Sequence, residues 1–224
     1  MALTAELVAR CERPEPDPGP EAGFTHFSEA EYDVLAAELL ARRSPGPFWL
    51  FAYGSLIWKP DFVALEHRRA TAHGWHRAFT LELTRWRGSP SQPGLMLALE
   101  RGGRCNGIVY RLPDMDHLAQ MGRLLRREIG AREDVQGIRW INVETEYGRV
   151  QALTFWAGVK GPGHAGKRGL REVAGTLARA CGHIGSGADY LLRTVSKLDE
   201  LGIRDRNLWR LQQLVADEIQ RGVP

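Results

Sequence analysis

The chain has 224 residues, 43% of them hydrophobic and 25% charged, with 30 Lys and Arg against 27 Asp and Glu for a net charge of +3. That length fits one domain, or one domain with an appendage, and the composition is that of a folded chain rather than a disordered tail. The basic residues are scattered, which argues against nucleic-acid binding, and no apolar run approaches the roughly 20 residues that span a bilayer. The N-terminus lacks a charged-then-apolar leader pattern. Cys11, Cys105 and Cys181 form no CxxC and leave an odd thiol, so the expectation is a cytoplasmic protein with neither nucleic-acid nor membrane partners.

Residues 1–27 open with a short helical stretch and continue through Pro14, Pro16, Pro18 and Pro20, which cannot extend a helix and predict a surface strap. Ser28 with Glu31 three residues later is a capping box, starting a helix that runs to about Arg42 with Tyr32, Leu35, Leu39 and Leu40 on one face. Ser44-Pro45-Gly46-Pro47 ends it. Residues 1–47 thus read as an N-terminal extension and 48–224 as the main domain.

Then the period changes. Phe48 to Tyr53 is a strand, and 70–83 alternates as one long strand or a bulged pair. Leu95–Leu99 and Gly107–Leu112 read as two strands joined in a hairpin through Gly102-Gly103. Asp114 to Ile129 is helical, and Ile138–Thr145 pairs with Val150–Gly158 around Tyr147-Gly148. After a glycine-rich loop at 158–169, helices follow near 170–181, 187–201 and 205–221, with Ser186 and Asp189 capping the second. Hairpins dominate and most helices come last, so the class is α+β. Leu208, Leu211, Val215 and Ile219 make an apolar stripe read as core packing, and the expected state is a monomer or weak dimer.

Glu128 is the most informative residue. With successive residues ~100° apart around the helix, it falls in one sector with Leu118, Met121, Leu124 and Leu125, while Arg123, Arg126 and Arg127 project elsewhere. A carboxylate aimed at the core side loses hydration, which raises its pKa and makes it a usable proton shuttle. The alternatives are a helix-end carboxylate that reaches solvent, or one paired with an arginine of another element.

Tyr53-Gly54-Ser55-Leu56-Ile57-Trp58 is the second candidate. A hydrophobic strand ends in a tyrosine and a glycine, and a turn there can present successive N–H groups to a carboxylate or an oxyanion. The plainer reading is an ordinary strand-to-loop turn. Arg87, in the polar segment from Arg85 to Pro90, could add a cation beside it; otherwise that segment is a solvated loop.

Two strings carry no such chemistry. Gly161 to Lys167 fits GxxxxGK, but Arg168 stands where a phosphate-binding loop needs Ser or Thr, and Pro162 lacks an N–H. The histidines make no convincing metal-ligand set, since three-residue spacing in a strand puts His73 and His76 on opposite faces.

The run from Phe51 to Phe62 (FAYGSLIWKPDF) resembles the signature of the ChaC-type γ-glutamylcyclotransferases. The likeness continues in order through 74–79, 87–90, 93–95, Asn106–Leu112, Leu124–Glu128, Ala152–Phe155, 185–191 and 201–209. The resemblance implies a small mixed β-barrel with flanking helices and a helical C-terminal part, no cofactor and no metal. It implies cleavage of a γ-glutamyl amide, typically glutathione, to 5-oxoproline and Cys-Gly. Glu128 falls on the family's catalytic glutamate, and Tyr53 through Trp58 on its substrate-binding loop. Two departures stand out: no tyrosine occurs in 129–138, and His164 occupies a loop where many members carry one. They motivate a second expectation, another γ-glutamyl amine as substrate, and a third, a regulatory protein that binds without turnover.

Overall fold

The computed structural model describes residues 1–20, 23–158 and 163–222; residues 159–162 of the predicted glycine-rich loop, with Gly161 and Pro162 of the GxxxxGK string, lie outside them. The chain forms two compact units, one from residues 1–22, 78–98 and 162–224, the other from 23–77 and 99–161.

The second unit holds a barrel. Its strands are β1 (Trp49–Ala52), β2 (Glu66–Leu83), β3 (Gly94–Arg111), β4 (Ile138–Thr145) and β5 (Gly148–Phe155), closed in the order β1-β3-β2-β4-β5. Closure rests on β1, which pairs antiparallel with β3 (Ala52 opposite Ile108) and parallel with β5 (Trp49 opposite Ala152). Every residue of β1 is buried, which is why its sequence is an unbroken apolar run rather than an alternation. Trp49, Phe51, Trp75, Leu99, Val109, Ile141, Val143 and Trp156 fill the interior.

β2 and β3 are each 18 residues long, and about a third of each, 78–83 and 94–98, belongs to the first unit. β2 is the long, bulged strand: Ala70 and Ala72 are buried before Gly74, and Trp75, Arg77 and Phe79 after it. The phase shifts because Gly74, at φ +78°, inserts one residue with left-handed backbone. The predicted hairpin at Gly102-Gly103 is corrected: β3 runs straight through both glycines. Their positive φ values of 102° and 73° make a bulge, and the Gly102 carbonyl meets His76 Nδ1 at 3.0 Å. A glycine pair serves a turn or a bulge equally well, and here the long β2 partner keeps the strand going.

Around the barrel lie α2 (Glu29–Ala41), the single turn α3 (Ser55–Trp58) and α4 (His117–Glu128). The capping box at Ser28 and Glu31 is formed. α2 packs on α4, and Tyr32 Oη donates to the Ile129 carbonyl at 2.8 Å.

The first unit is helical apart from the strand ends. α1 (Ala5–Ala9) packs on α6 (Gly187–Glu200) and α7 (Arg206–Gln220), and both of these pack on α5 (Leu170–Arg179). Leu208, Leu211, Val215 and Ile219 are buried inside this unit. The residues before α1 are tied in as well: the N–H groups of Ala2 and Leu3 both donate to Gln212 Oε1 at 2.8 Å. Among the described residues, no helix is long and apolar enough to cross a membrane.

Candidate active site

Glu128 is the last residue of α4. Met121 and Leu125 on the same face are fully buried, and they hold the helix end against the core so that Glu128 follows them inward. Its side chain keeps only 20% of its exposure. Loss of water pushes its carboxyl above the usual carboxylate value, and the neighbouring Arg127 guanidinium opposes that push. Among the described residues the carboxylate is neither free in solvent nor bridged to a distant element; its partner is its sequence neighbour.

That partner corrects the helical-wheel expectation. Arg127 does not project away but is 18% exposed, with Nε donating to Glu128 Oε1 at 3.0 Å. Adjacent helical residues do not normally face each other. At a helix end the long arginine stem can fold back along the surface and bring its head to the neighbour. Among the described residues, Arg127 Nη1 is buried with no hydrogen-bond partner, an arrangement that typically costs about 1–3 kcal/mol.

Tyr53 to Trp58 forms the predicted turn, and the chain runs from it into a single helical turn rather than a loop. Ile57 N–H returns to the Gly54 carbonyl at 3.0 Å and Lys59 N–H to that of Ser55 at 2.8 Å. Leu56 and Ile57 anchor the turn in the core. Ser55 and Leu56 stand at its first positions, where N–H groups have no acceptor inside the helix. Tyr53 Oη donates to the Phe155 carbonyl at 2.7 Å.

Arg77 completes the support. It is 3% exposed, and its guanidinium donates to the Tyr53 carbonyl at 2.9 Å and to the Asn106 carbonyl. It thus fixes the start of the turn from inside the barrel. The signal was present in the alternation, since Trp75, Arg77 and Phe79 share the buried phase.

Register brings the Tyr53 turn and the entry of β4 to one barrel end. Tyr53 follows Ala52 at the exit of β1, beside Phe155, which pairs with Ile138 at the entry of β4. The segment from Glu128 leads into Ile138 through a 3₁₀ turn at Arg132–Gly137. Trp156 locks that turn, donating from its backbone to Gly137 O at 2.8 Å and from its indole to Gln136 O at 3.0 Å.

Arg87 lies in the first unit. Its Nη1 donates to the Ser186 carbonyl at 2.7 Å and to Asp189 Oδ2 at 2.9 Å. His164 is in the same unit, bridged to Leu81, with its Nδ1 accepting from Gly166 N–H.

A closed five-stranded barrel with flanking helices, a fixed turn after β1 and a desolvated glutamate at the end of α4 define a class. The yeast glutathione-specific γ-glutamyl cyclotransferase crystal structure has this fold, with a TM-score of 0.68 at 20% identity over 76% of this chain and 96% of that one. The family description for ChaC-like proteins matches residues 48–218. The Escherichia coli glutathione-specific gamma-glutamylcyclotransferase is 36% identical over 91% of this chain and 89% of its own length. The mouse glutathione-specific gamma-glutamylcyclotransferase 1 is 31% identical over 66% and 68%. The chain belongs to the ChaC-like family.

Proposed function

We propose that the protein cleaves glutathione by intramolecular cyclisation, releasing 5-oxoproline and Cys-Gly, with Glu128 as the proton carrier. The observation that carries this reading is the desolvated Glu128 carboxyl at the end of α4, in a chain of this family.

The substrate holds its own nucleophile. Its α-amine attacks the γ-carbonyl carbon, the five-membered ring closes, and the bond to the cysteine nitrogen breaks. Holding the extended γ-glutamyl arm in the cyclising geometry is the first task, for which effective molarities of ~10⁵–10⁸ M are attainable. Proton movement is the second. Glu128 takes a proton from the α-ammonium and returns one to the departing amine, a service worth about 10²–10⁴-fold. Charge that develops on the γ-oxygen, or the substrate carboxylate, meets the turn from Tyr53 to Trp58 through the N–H groups of Ser55 and Leu56. Loss of one such oxyanion donor typically costs ~2.7–4 kcal/mol. Arg87, paired with Asp189, is assigned to holding the first unit together.

Release of 5-oxoproline and Cys-Gly from millimolar glutathione, measured beside Glu128→Gln, tests the reading. The wild type turns over and the variant loses at least about 10²-fold; turnover preserved in the variant overturns the role of Glu128. No tyrosine stands in 129–138 and His164 holds the later loop, so simple γ-glutamyl amino acids belong in the same assay. Faster cleavage of one of them would move the substrate assignment to another γ-glutamyl amine. No cofactor enters this chemistry. Three buried cysteines outside any disulfide fit action in the cytoplasm, and the expected state is a monomer or weak dimer.

A further inference from the structure

The proposed proton carrier has a cation attached to it with a buried donor to spare. Arg127 gives Nε to Glu128 at 3.0 Å, and its buried Nη1 has no partner among the described residues. A guanidinium is a rigid fork that can bind two carboxylates at once, one at each part of its edge. The γ-glutamyl group presents the complementary pair. Its α-carbon carries an ammonium, whose proton Glu128 removes, and one bond away a carboxylate. A site that places a base against the ammonium therefore needs a cation next to the base, at about the separation found between Glu128 and Arg127.

We infer that Arg127 binds the α-carboxylate of the γ-glutamyl group through Nη1, while Nε keeps hold of Glu128. The inference rests on the reading of Glu128 given above. It divides the labour of the site: Arg127 takes the carboxylate, and the N–H groups of Ser55 and Leu56 are left for the oxyanion. It also explains the isolated donor, which is satisfied only when substrate is bound. Arg127 then selects for an α-amino acid head group, whatever amine follows.

The test uses three substrates and a shared readout, release of the cysteinyl fragment. They are glutathione, 4-aminobutyryl-Cys-Gly, which keeps the attacking amine but lacks the α-carboxylate, and glutathione with its glycine carboxylate amidated. The wild type is expected to prefer glutathione over the 4-aminobutyryl compound by about 30- to 100-fold in kcat/KM, as a charge-assisted contact implies. In Arg127→Gln that preference falls to within about threefold, and Arg127→Lys retains an intermediate part of it. The ratio is taken within each variant, so it does not depend on how much of the variant folds. A wild type that does not discriminate overturns the inference without any variant. So does an Arg127→Gln protein that keeps the full preference, or one whose lost preference concerns the glycine amide instead. If Glu128→Gln still cleaves glutathione, it is the underlying reading that has failed; an inactive Glu128→Gln with an unchanged Arg127 ratio removes this inference alone.

Discussion

The proton-carrier role proposed for Glu128 depends on a charged form that the fold has made costly. Desolvation raises its folded-state value above the ordinary 4.5 of the unfolded chain, with Arg127 as the opposing influence. Below 4.5 both states hold the proton and the residue costs nothing. As pH climbs through the raised folded value, the folded protein must ionise a poorly hydrated group, and stability falls. Glu128→Gln has no such cost and keeps an oxygen for Arg127. Its thermal stability relative to the wild type should therefore rise between pH 4 and about pH 7.5; a difference that is the same at both pH values contradicts the desolvated carboxylate. The acid limb of the wild-type rate should correspondingly lie above the ordinary carboxyl value. Arg77 supports a different expectation. Arg77→Met deprives the Tyr53 and Asn106 carbonyls of their donor. A small displacement of the turn should lower kcat/KM by about 10²-fold; wild-type kinetics in a folded Arg77→Met protein would show that the turn holds without it. Glu128 was legible because helical period assigns faces. Arg127 was not, because period fixes where a side chain leaves the helix and not where a long flexible one ends.

At the scale of elements, the site depends on how closely two strands approach. A Cβ on Gly107 of β3 would lie 2.4 Å from the Ala52 carbonyl oxygen and 2.8 Å from the Phe51 ring. Gly107→Ala must push β1 away one residue before the turn begins. Overpacking of this kind typically costs about 1–3 kcal/mol, so the variant should melt several degrees lower and lose more activity than its stability loss explains. Unchanged melting would mean that β1 is less constrained than its register indicates. The helices were readable where caps mark them, as at Ser28 and Ser186, each of which accepts from the first turn of its helix. The course of β3 was not. Gly102-Gly103 has the composition of a hairpin turn, and only the partner strand decides that the chain bulges and continues.

At the scale of the whole molecule, closure of the barrel was invisible to period and spacing. The parallel contact between β1 and β5 joins segments about a hundred residues apart in sequence, and no local pattern encodes it; likeness to the family supplied the barrel. The proline-rich start was equally opaque, since it reads as a strap without saying what it straps to. In the structure Leu3, Val8 and Cys11 are buried, and Glu12 Oε1 accepts from Ser186 Oγ at 2.6 Å and from its N–H at 3.1 Å. Deleting residues 1–12 should lower the melting temperature by about 5 °C or more, given ~1.5–3 kcal/mol per buried aliphatic side chain. A deletion that melts like the full chain would show the segment to be dispensable.

The two hydrogen bonds from Ala2 and Leu3 to Gln212 also decide how the protein is best handled. Met1 is exposed, but two residues later Leu3 is fully enclosed. A purification tag fused ahead of Met1 must leave the surface within that two-residue step, and a bulky one will pull on the seam it starts from. A tag placed after α7 begins beyond Arg221 and Gly222, both exposed, and leaves the seam intact. Preparations tagged at the C-terminus should therefore be the better-behaved material for the assays above.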